Sequence, residues 1–514
     1  MMTEIGDGGK LASLIRTPYK IPRLSKSRFV AGVQCLKRLY LQVFEPEAAA
    51  DESPGTQVLL EQGNAVGLEA QRVFPGGVLV AADHEHPAAA LQETTRLVSN
   101  RDVPAIFEAA LQYDDVLVRV DILERLPRNR WRLIEVKSST EVKHHHLYDL
   151  AIQRHAAVGT GLRIGPTCLM HLNRDYVYDG KKYEPNKLFL VEDVSPQIRQ
   201  MAGEISKLLL EQRRTLRARK PPQIEPGPQC SSPVCCEFYD GCHDPLPGDH
   251  IAELPRLTRG KLAALQNLGI STIHGIPGSF PLSVIQRRIC ECVQSQRPWF
   301  SSGLKTALAA LRFPLHFMDF ETFYPALPKY KGMRPYSHIP FQWSVHTVEH
   351  RGAEPRHYEY LADSSSDPRG PFISSLLNLL GRRGSVIVYN RAFESTRLRE
   401  LAAWLPEFSK QIAAVQRRLW DLLPVISGNV YHPEFHGSFS IKNVLPALVP
   451  TMSYGGLNIS AGDEAGIAWD AMVNGRLGNQ RREDLMRSLL VYCRQDTLAM
   501  VKLWQALQRA AQTC

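Results

Sequence analysis

Residues 116–139 read VLVRVDILERLPRNRWRLIEVKSS, two strand-like runs around the turn-like PRNR. Such a pattern predicts a β-hairpin, which sets Asp121 on one strand close to Glu135 and Lys137 on the other. Glu135 and Lys137 are two apart and so project from one face of their strand. Two carboxylates can hold a divalent cation and a neighbouring ammonium can orient water or steady developing charge, the combination that phosphodiester hydrolysis needs. The plainer reading is a set of solvated charges on the polar face of a half-buried strand.

Working outward, LYDLAIQRHAAVGTG (147–161) has a helical pattern and PTCLMHLNRDYVY (166–178) returns to a strand, so the fold class of this part is α/β. Beyond Ser195 a helix ends in the basic run Arg213, Arg214, Arg217, Arg219 and Lys220, where PPQIEPGPQC stops it. Residues 251–277 read as two short helices around an LGI turn and resemble a helix-hairpin-helix linker. The expected organisation is a domain over 1–248, a small helical linker over 249–308 and a second α/β domain over 309–514. The three histidines 144–146 cannot all face one ion in regular structure, so a solvated or phosphate-contacting turn is expected there.

A chain of 514 residues, 44% hydrophobic and 22% charged, excludes both a single small module and wholesale disorder. It contains no apolar run of the roughly 18 residues a membrane span requires, and its start, MMTEIGDGGK, lacks the basic head and apolar run of a signal peptide. A soluble, cytoplasmic protein without a membrane partner is expected. Lys plus Arg exceed Asp plus Glu by 61 to 52, a net charge of +9 that favours a polyanion such as nucleic acid.

The cysteines divide into two kinds. Cys35 lies in SRFVAGVQCLKRLYLQ, a helical pattern, and CSSPVCCEFYDGC places Cys230, Cys236 and Cys242 six apart with Cys235 as an extra. Four thiolates suit an iron–sulfur cluster or zinc. Cys168, Cys290, Cys292, Cys493 and Cys514 have no matching partners and read as core or surface thiols.

In the C-terminal part, FPLHFMDFETF (313–323) is an apolar strand with Asp319 and Glu321 two apart, hence on one face. SVIVYNRAFESTRLREL (385–401) is a buried strand leading into a helix with Glu394, and LLVYCRQDTLAMVKLW (489–504) is a helix with Tyr492 and Asp496 one turn apart. Four carboxylates so distributed can hold two cations for in-line attack, with Tyr492 orienting water. The loop from Tyr324 to His346 mixes Lys329, Lys331 and Arg334 with Tyr324, Tyr330, Tyr336, Phe341 and Trp343. It reads either as a single-strand stacking surface or as a core-closing loop, with PFQWSVH as a strand.

Asp121, Glu135 and Lys137 resemble the PD-(D/E)XK motif of restriction-endonuclease-like nucleases in its RecB-like form, and Gln153 stands where that family carries a glutamine that orders substrate or water. Cys35 with Cys230, Cys236 and Cys242 resembles the RecB-like and Cas4-like nucleases that carry a structural 4Fe–4S cluster; by that pattern Cys235 is not a ligand. Two positions depart from it: the upstream GxxxH is here GNAVG with Gly67, and Ala157 replaces an aromatic. Glu69 and Glu108 stand as replacement ligands. Asp319, Glu321, Glu394, Tyr492 and Asp496 resemble the tyrosine subclass of DEDD exonucleases on the RNase H-like fold, with Glu394 for the common aspartate, as in a YprB-type branch whose intervening segments resemble those around Asp421 and Lys442. The whole chain is similar to RecB-like nucleases fused to a DUF2779-type domain. That resemblance implies a nuclease with two centres, acting on DNA before RNA; a binding protein with one degenerate site is the remaining class.

Overall fold

The computed structural model describes residues 24–513 except 52–53, 84, 244–246, 460 and 476, so the amino-terminal stretch and Cys514 lie outside the described residues. The chain is α/β and separates into two units, one within residues 24–245 and one comprising 52–61, 177–182 and the chain beyond 246. No described helix is long and apolar enough to cross a membrane.

The first unit is built on a mixed sheet whose main strands are β1 (Ala105–Tyr113), β2 (Val116–Leu126), β3 (Arg130–Lys137), β4 (Ile164–Leu172) and β5 (Phe189–Asp193), adjacent in that order. β1, β2 and β3 are antiparallel neighbours, β3 and β4 are parallel, and β5 closes antiparallel on β4. A parallel pair needs a crossover. The intervening helix is α3 (His144–Gly159), preceded in the chain by α1 (Lys26–Gln34) and α2 (Leu36–Phe44) and followed by α4 (Ala202–Arg217). The small or aliphatic side chains of Leu150, Ala151, Ala156 and Ala157 bury the α3 face in one core with Val118, Val120, Leu123 and Leu133 of the sheet.

Two local expectations change. Cys35 does not sit inside a helix: it is the extended residue, φ −161° and ψ 123°, between α1 and α2. The three histidines open α3 instead of forming a solvated turn, because His146 Nδ1 accepts the Lys143 N–H at 3.2 Å and its ring is buried at this N-terminus.

The second unit has a five-stranded sheet with β6 (Leu315–Phe323) at its centre. β7 (Ile339–Val348) and β8 (Arg356–Leu361) lie antiparallel in succession on one side, while β9 (Ser385–Val388) and β10 (Leu419–Asp421) lie parallel on the other. Both faces of β6 are covered, so eight of its nine residues are buried, the polar His316, Glu321 and Thr322 among them. Met318 and Phe320 turn to one side, where Phe320 meets Phe372 edge-on at 5.2 Å. Leu315 and Phe317 turn to the other.

The helices that shape the candidate site are α5 (Arg391–Trp404), α6 (Gly462–Asn474) and the long α7 (Asn479–Thr513). α7 lies over the Phe317 face: Trp504 sits 5.7 Å from Phe317, Thr497 Oγ1 is 2.7 Å from Ser344 Oγ, and the Leu489 carbonyl accepts from Gln342 Nε2 at 2.9 Å. The helical segment expected as a linker contributes Ile251, Leu265, Ile276 and Ile289 to the same core as Leu315, Phe317 and Trp504.

Candidate functional site

In the first unit the β2–β3 register, Ile122 opposite Ile134, carries Asp121 to Glu135. There the ladder gives way to side chains: Asp121 Oδ2 accepts the Val136 N–H at 2.7 Å. Glu135 is 1% exposed. Its Oε1 lies 2.8 Å from Lys137 Nζ, and its Oε2 accepts from Gln153 Nε2, which α3 lowers onto it. All four residues named from the sequence therefore meet.

Two partners were not named from the sequence. Lys26 at the start of α1 reaches 2.8 Å from Glu135 Oε1 and 3.9 Å from Asp121 Oδ1, and Asp149 on α3 pairs with Lys137. Asp149 stands four residues before Gln153 and is findable by helical spacing. Lys26, 109 residues before Glu135, is not.

Burial opposes the ionised form of Glu135, yet Lys26 and Lys137 outweigh it and hold the carboxyl well below the usual range. Asp121 goes the other way, up to about 7, because burial and then the Glu135 charge dominate over Lys26. Burial likewise works against charge on both lysines, and Glu135 with its neighbouring carboxylates more than restores it.

Of the replacement ligands, Glu108 bears on this site. The β1–β2 pairs run from Phe107–Ile122 to Ala109–Val120 and skip Glu108, whose φ is +56°. Left-handed backbone at a non-glycine strand residue costs of order 1–3 kcal/mol, and the register is the same on either side of Glu108, which stands across from Asp121. Its carboxylate takes Arg119 at 3.2 Å and adds to the upward push on Asp121. Glu69 pairs instead with Arg72, and a Cβ at Gly67 would meet nothing within 4 Å.

Cys35, Cys230, Cys236 and Cys242 line one cavity together with Lys37 and Arg38. Cys235 is exposed and outside it. Burial pushes the Cys236 thiol up to about 11 and raises Cys230, which also feels Cys35 and Cys242. Among the described residues, the group of metal-ligating side chains whose donor atoms all lie within 4.8 Å of one another is Asp319, Glu321 and Cys493. Four cysteine sulfurs around one cavity are a donor set that fits an iron–sulfur cluster or zinc.

In the second unit Asp319 and Glu321 leave β6 on the face that α7 covers. Burial and then Asp496 push Asp319 well above the carboxyl range; burial, Asp319 and Asp496 do the same to Glu321. Glu394 is 1% exposed in the first turn of α5, raised by burial and then by Asp319, and its Oε2 has no hydrogen-bond partner. Asp421 also raises Glu394, but its carboxylate is committed to backbone. It accepts the N–H groups of Asn390, Arg391 and Leu423 at 2.9–3.1 Å and so fixes the start of the helix that carries Glu394.

Asp496 is raised to about 6 by burial, against the Tyr454 hydroxyl, which donates to Oδ1 at 2.6 Å, and against Lys442. Burial and the surrounding carboxylates raise the Tyr492 phenol far above its ordinary range, so it stays protonated. Lys442 stands 5.8 Å from the Tyr454 ring and 6.0 Å from that of Tyr492. The five residues named from sequence converge. Tyr454 and Cys493 were not among them: nothing local sets Tyr454 apart, and Cys493 read as a core thiol although it is flanked by Tyr492 and Asp496.

The basic, aromatic loop is largely committed elsewhere. Lys329 pairs with Asp470, Phe341 stacks on Trp469 at 4.8 Å, Trp343 donates to Ser375, and PFQWSVH forms most of β7.

Residues 316–440 match DUF2779, a domain of unknown function. The DUF2779 stretch contains Asp319, Glu321, Glu394 and Asp421; Tyr454, Tyr492, Cys493 and Asp496 follow it. The "Uncharacterized protein MG366 homolog" of Mycoplasma pneumoniae is 30% identical over 129 residues, 23% of this chain and 19% of that protein. The "Uncharacterized protein UU173" of Ureaplasma parvum serovar 3 is 26% identical over 138 residues, 24% of this chain and 20% of that protein. Each match thus spans about a fifth of the relative's length.

Proposed function

We propose that this chain is a metal-dependent nuclease that hydrolyses phosphodiester bonds of DNA, single-stranded or at ends, with a restriction-endonuclease-like first unit and an RNase H-like second unit. The observation that carries the reading is the carboxylate cluster of the second unit, from one strand and two helices: Glu321, Glu394 and Asp496 are buried and Asp319 is half-buried, Asp496 acts on Asp319 and Glu321, and Asp319 acts on Glu321 and Glu394. Their like charges cannot all stay ionised in a buried place without added cations. The sheet order supports the fold: a central strand with two antiparallel successors on one side and two parallel strands on the other. In the first unit, three antiparallel strands, a helix and a parallel strand in chain order support the PD-(D/E)XK reading.

Mg2+ or Mn2+ held by Asp319, Glu321, Glu394 and Asp496 would supply Lewis acidity at the phosphoryl oxygen and make water more acidic. The chain's own groups do the rest. The protonated Tyr492 orients the attacking water, Tyr454 fixes the Asp496 rotamer, and Lys442 meets phosphate charge. In the first unit Asp121 and Glu135 would bind the cation, Lys137 steadies developing charge, and Gln153 holds Glu135 in place. A 4Fe–4S cluster on Cys35, Cys230, Cys236 and Cys242 would be structural, held by the four sulfurs that line one cavity. A second reading, in which the first centre binds nucleic acid without cutting it, is favoured by Lys26, whose ammonium sits where a cation would.

End-labelled single-stranded DNA and RNA, incubated with the purified chain and Mg2+ or Mn2+, test this. Cleavage of DNA lost in Asp496→Asn, or in Lys137→Ala, is expected. Cleavage confined to RNA moves the substrate to the other polymer, and cleavage indifferent to both substitutions refutes the site assignment.

A further inference from the structure

On α7, Cys493 follows Tyr492 and precedes Asp496 by three residues, a spacing that keeps residues 493 and 496 on neighbouring parts of one helix face. Its side chain has no solvent exposure. A buried cysteine is ordinary as a small apolar residue, but this one is not in apolar company. The sulfur, a carboxylate oxygen of Asp319 and one of Glu321 all lie within 4.8 Å of one another, and the charges of Asp319, Glu321 and Asp496 bear on the thiol. Ligands bonded to one tetrahedral ion at about 2.0–2.3 Å stand about 3.3–3.8 Å apart, so side-chain shifts of about 1 Å bring these three atoms to the spacing that a single ion imposes.

A second observation points the same way. Glu394 brings to Asp319 a carboxylate whose Oε2 is buried with no partner. Leaving such an oxygen unmatched costs about 1–3 kcal/mol, more when it is charged, and a cation beside Asp319 would satisfy it. Oxygen donors alone suit Mg2+, Ca2+ and Mn2+, whereas thiolate shifts preference toward softer ions such as Zn2+.

We propose that Cys493 is a sulfur ligand of the second centre, beside Asp319 and Glu321, and makes it a mixed oxygen–sulfur site that takes Zn2+ or Co2+ in preference to Mg2+. The proposal rests on reading the carboxylate cluster as a metal centre. Loading is acid–base chemistry: the S–H bond breaks, the sulfur–metal bond forms, the proton leaves to solvent, and nothing is oxidised or reduced.

Co2+, titrated anaerobically into the full-length protein, reports thiolate bonding through a near-ultraviolet sulfur-to-cobalt absorption. Comparison with Cys493→Ser cancels any contribution from the four amino-terminal cysteines. The expected result is a band that disappears in Cys493→Ser, in Cys493→Ala and in Asp319→Asn, with Mg2+ displacing Co2+ from Cys493→Ser far more readily than from the unaltered chain. If calorimetry shows one Co2+ site lost in Asp319→Asn while the Cys493→Ser spectrum is unchanged, the sulfur is not a ligand and the carboxylate centre stands. If no Co2+ site depends on Asp319, the centre itself falls. Thermal melts of both Cys493 variants establish that each remains folded.

Discussion

Replacing Asp496 with asparagine should make the metal-free protein more stable while removing its activity. Asp496 is 9% exposed, and its carboxyl is raised from the ordinary 3.8 to about 6, by burial that the Tyr454 hydrogen bond and Lys442 only partly offset. A folded-state pKa above the unfolded one means that the group favours folding below pH 4, and that this contribution is lost as pH climbs through 6. The difference corresponds to about 3 kcal/mol borne by the native state at pH 8. Asparagine keeps an acceptor for Tyr454 and carries no charge. Asp496→Asn should therefore gain up to about 3 kcal/mol at pH 8 and almost nothing at pH 4. For a unit of this size that is a rise in melting midpoint of about 6–12 °C at most. Differential scanning calorimetry in EDTA at the two pH values measures it. With excess Mn2+ the order should reverse, since the ion stabilises only the chain that binds it. A gain equal at both pH values, or none at pH 8, would refute the claim that this carboxylate is held against its own charge.

Other consequences are simpler to read. Lys26→Met takes an ammonium from Glu135, 1% exposed, and should lower the unfolding free energy by about 3 kcal/mol in EDTA. The same change should tighten Mn2+ binding to the first unit, seen by calorimetry; unchanged binding would mean that Lys26 does not compete with a cation there. Cys236→Ser should lose iron and acid-labile sulfide on anaerobic purification while Cys235→Ser retains both, and equal retention would remove the cluster assignment.

Local pattern carried a large part of this structure. The 116–139 hairpin follows from alternation of apolar residues around a turn, and once its register is set, Asp121, Glu135 and Lys137 need nothing else to meet. Gln153 stood out only by resemblance, and the structure puts it on the buried face of α3 with Glu135 as its partner. The two-residue period of an apolar strand placed Asp319 and Glu321 together, and the four-residue period of a helix did the same for Tyr492 and Asp496.

What tertiary packing alone decided is the company these groups keep. Lys26 reaches Glu135 from 109 residues away, and no periodicity extends that far. Cys493 reads as core because a helix pattern records which face is buried, not whether the surface opposite is Phe317 or a pair of carboxylates. His146 is buried because α3 begins three residues earlier than its sequence suggests, and residues 251–289 join the core of the strands beyond 315 because their apolar faces need a partner that no local signal identifies. A residue's own side chain and near neighbours set its secondary structure, while its charge state depends on desolvation and on whichever charges the folded chain brings within a few ångströms.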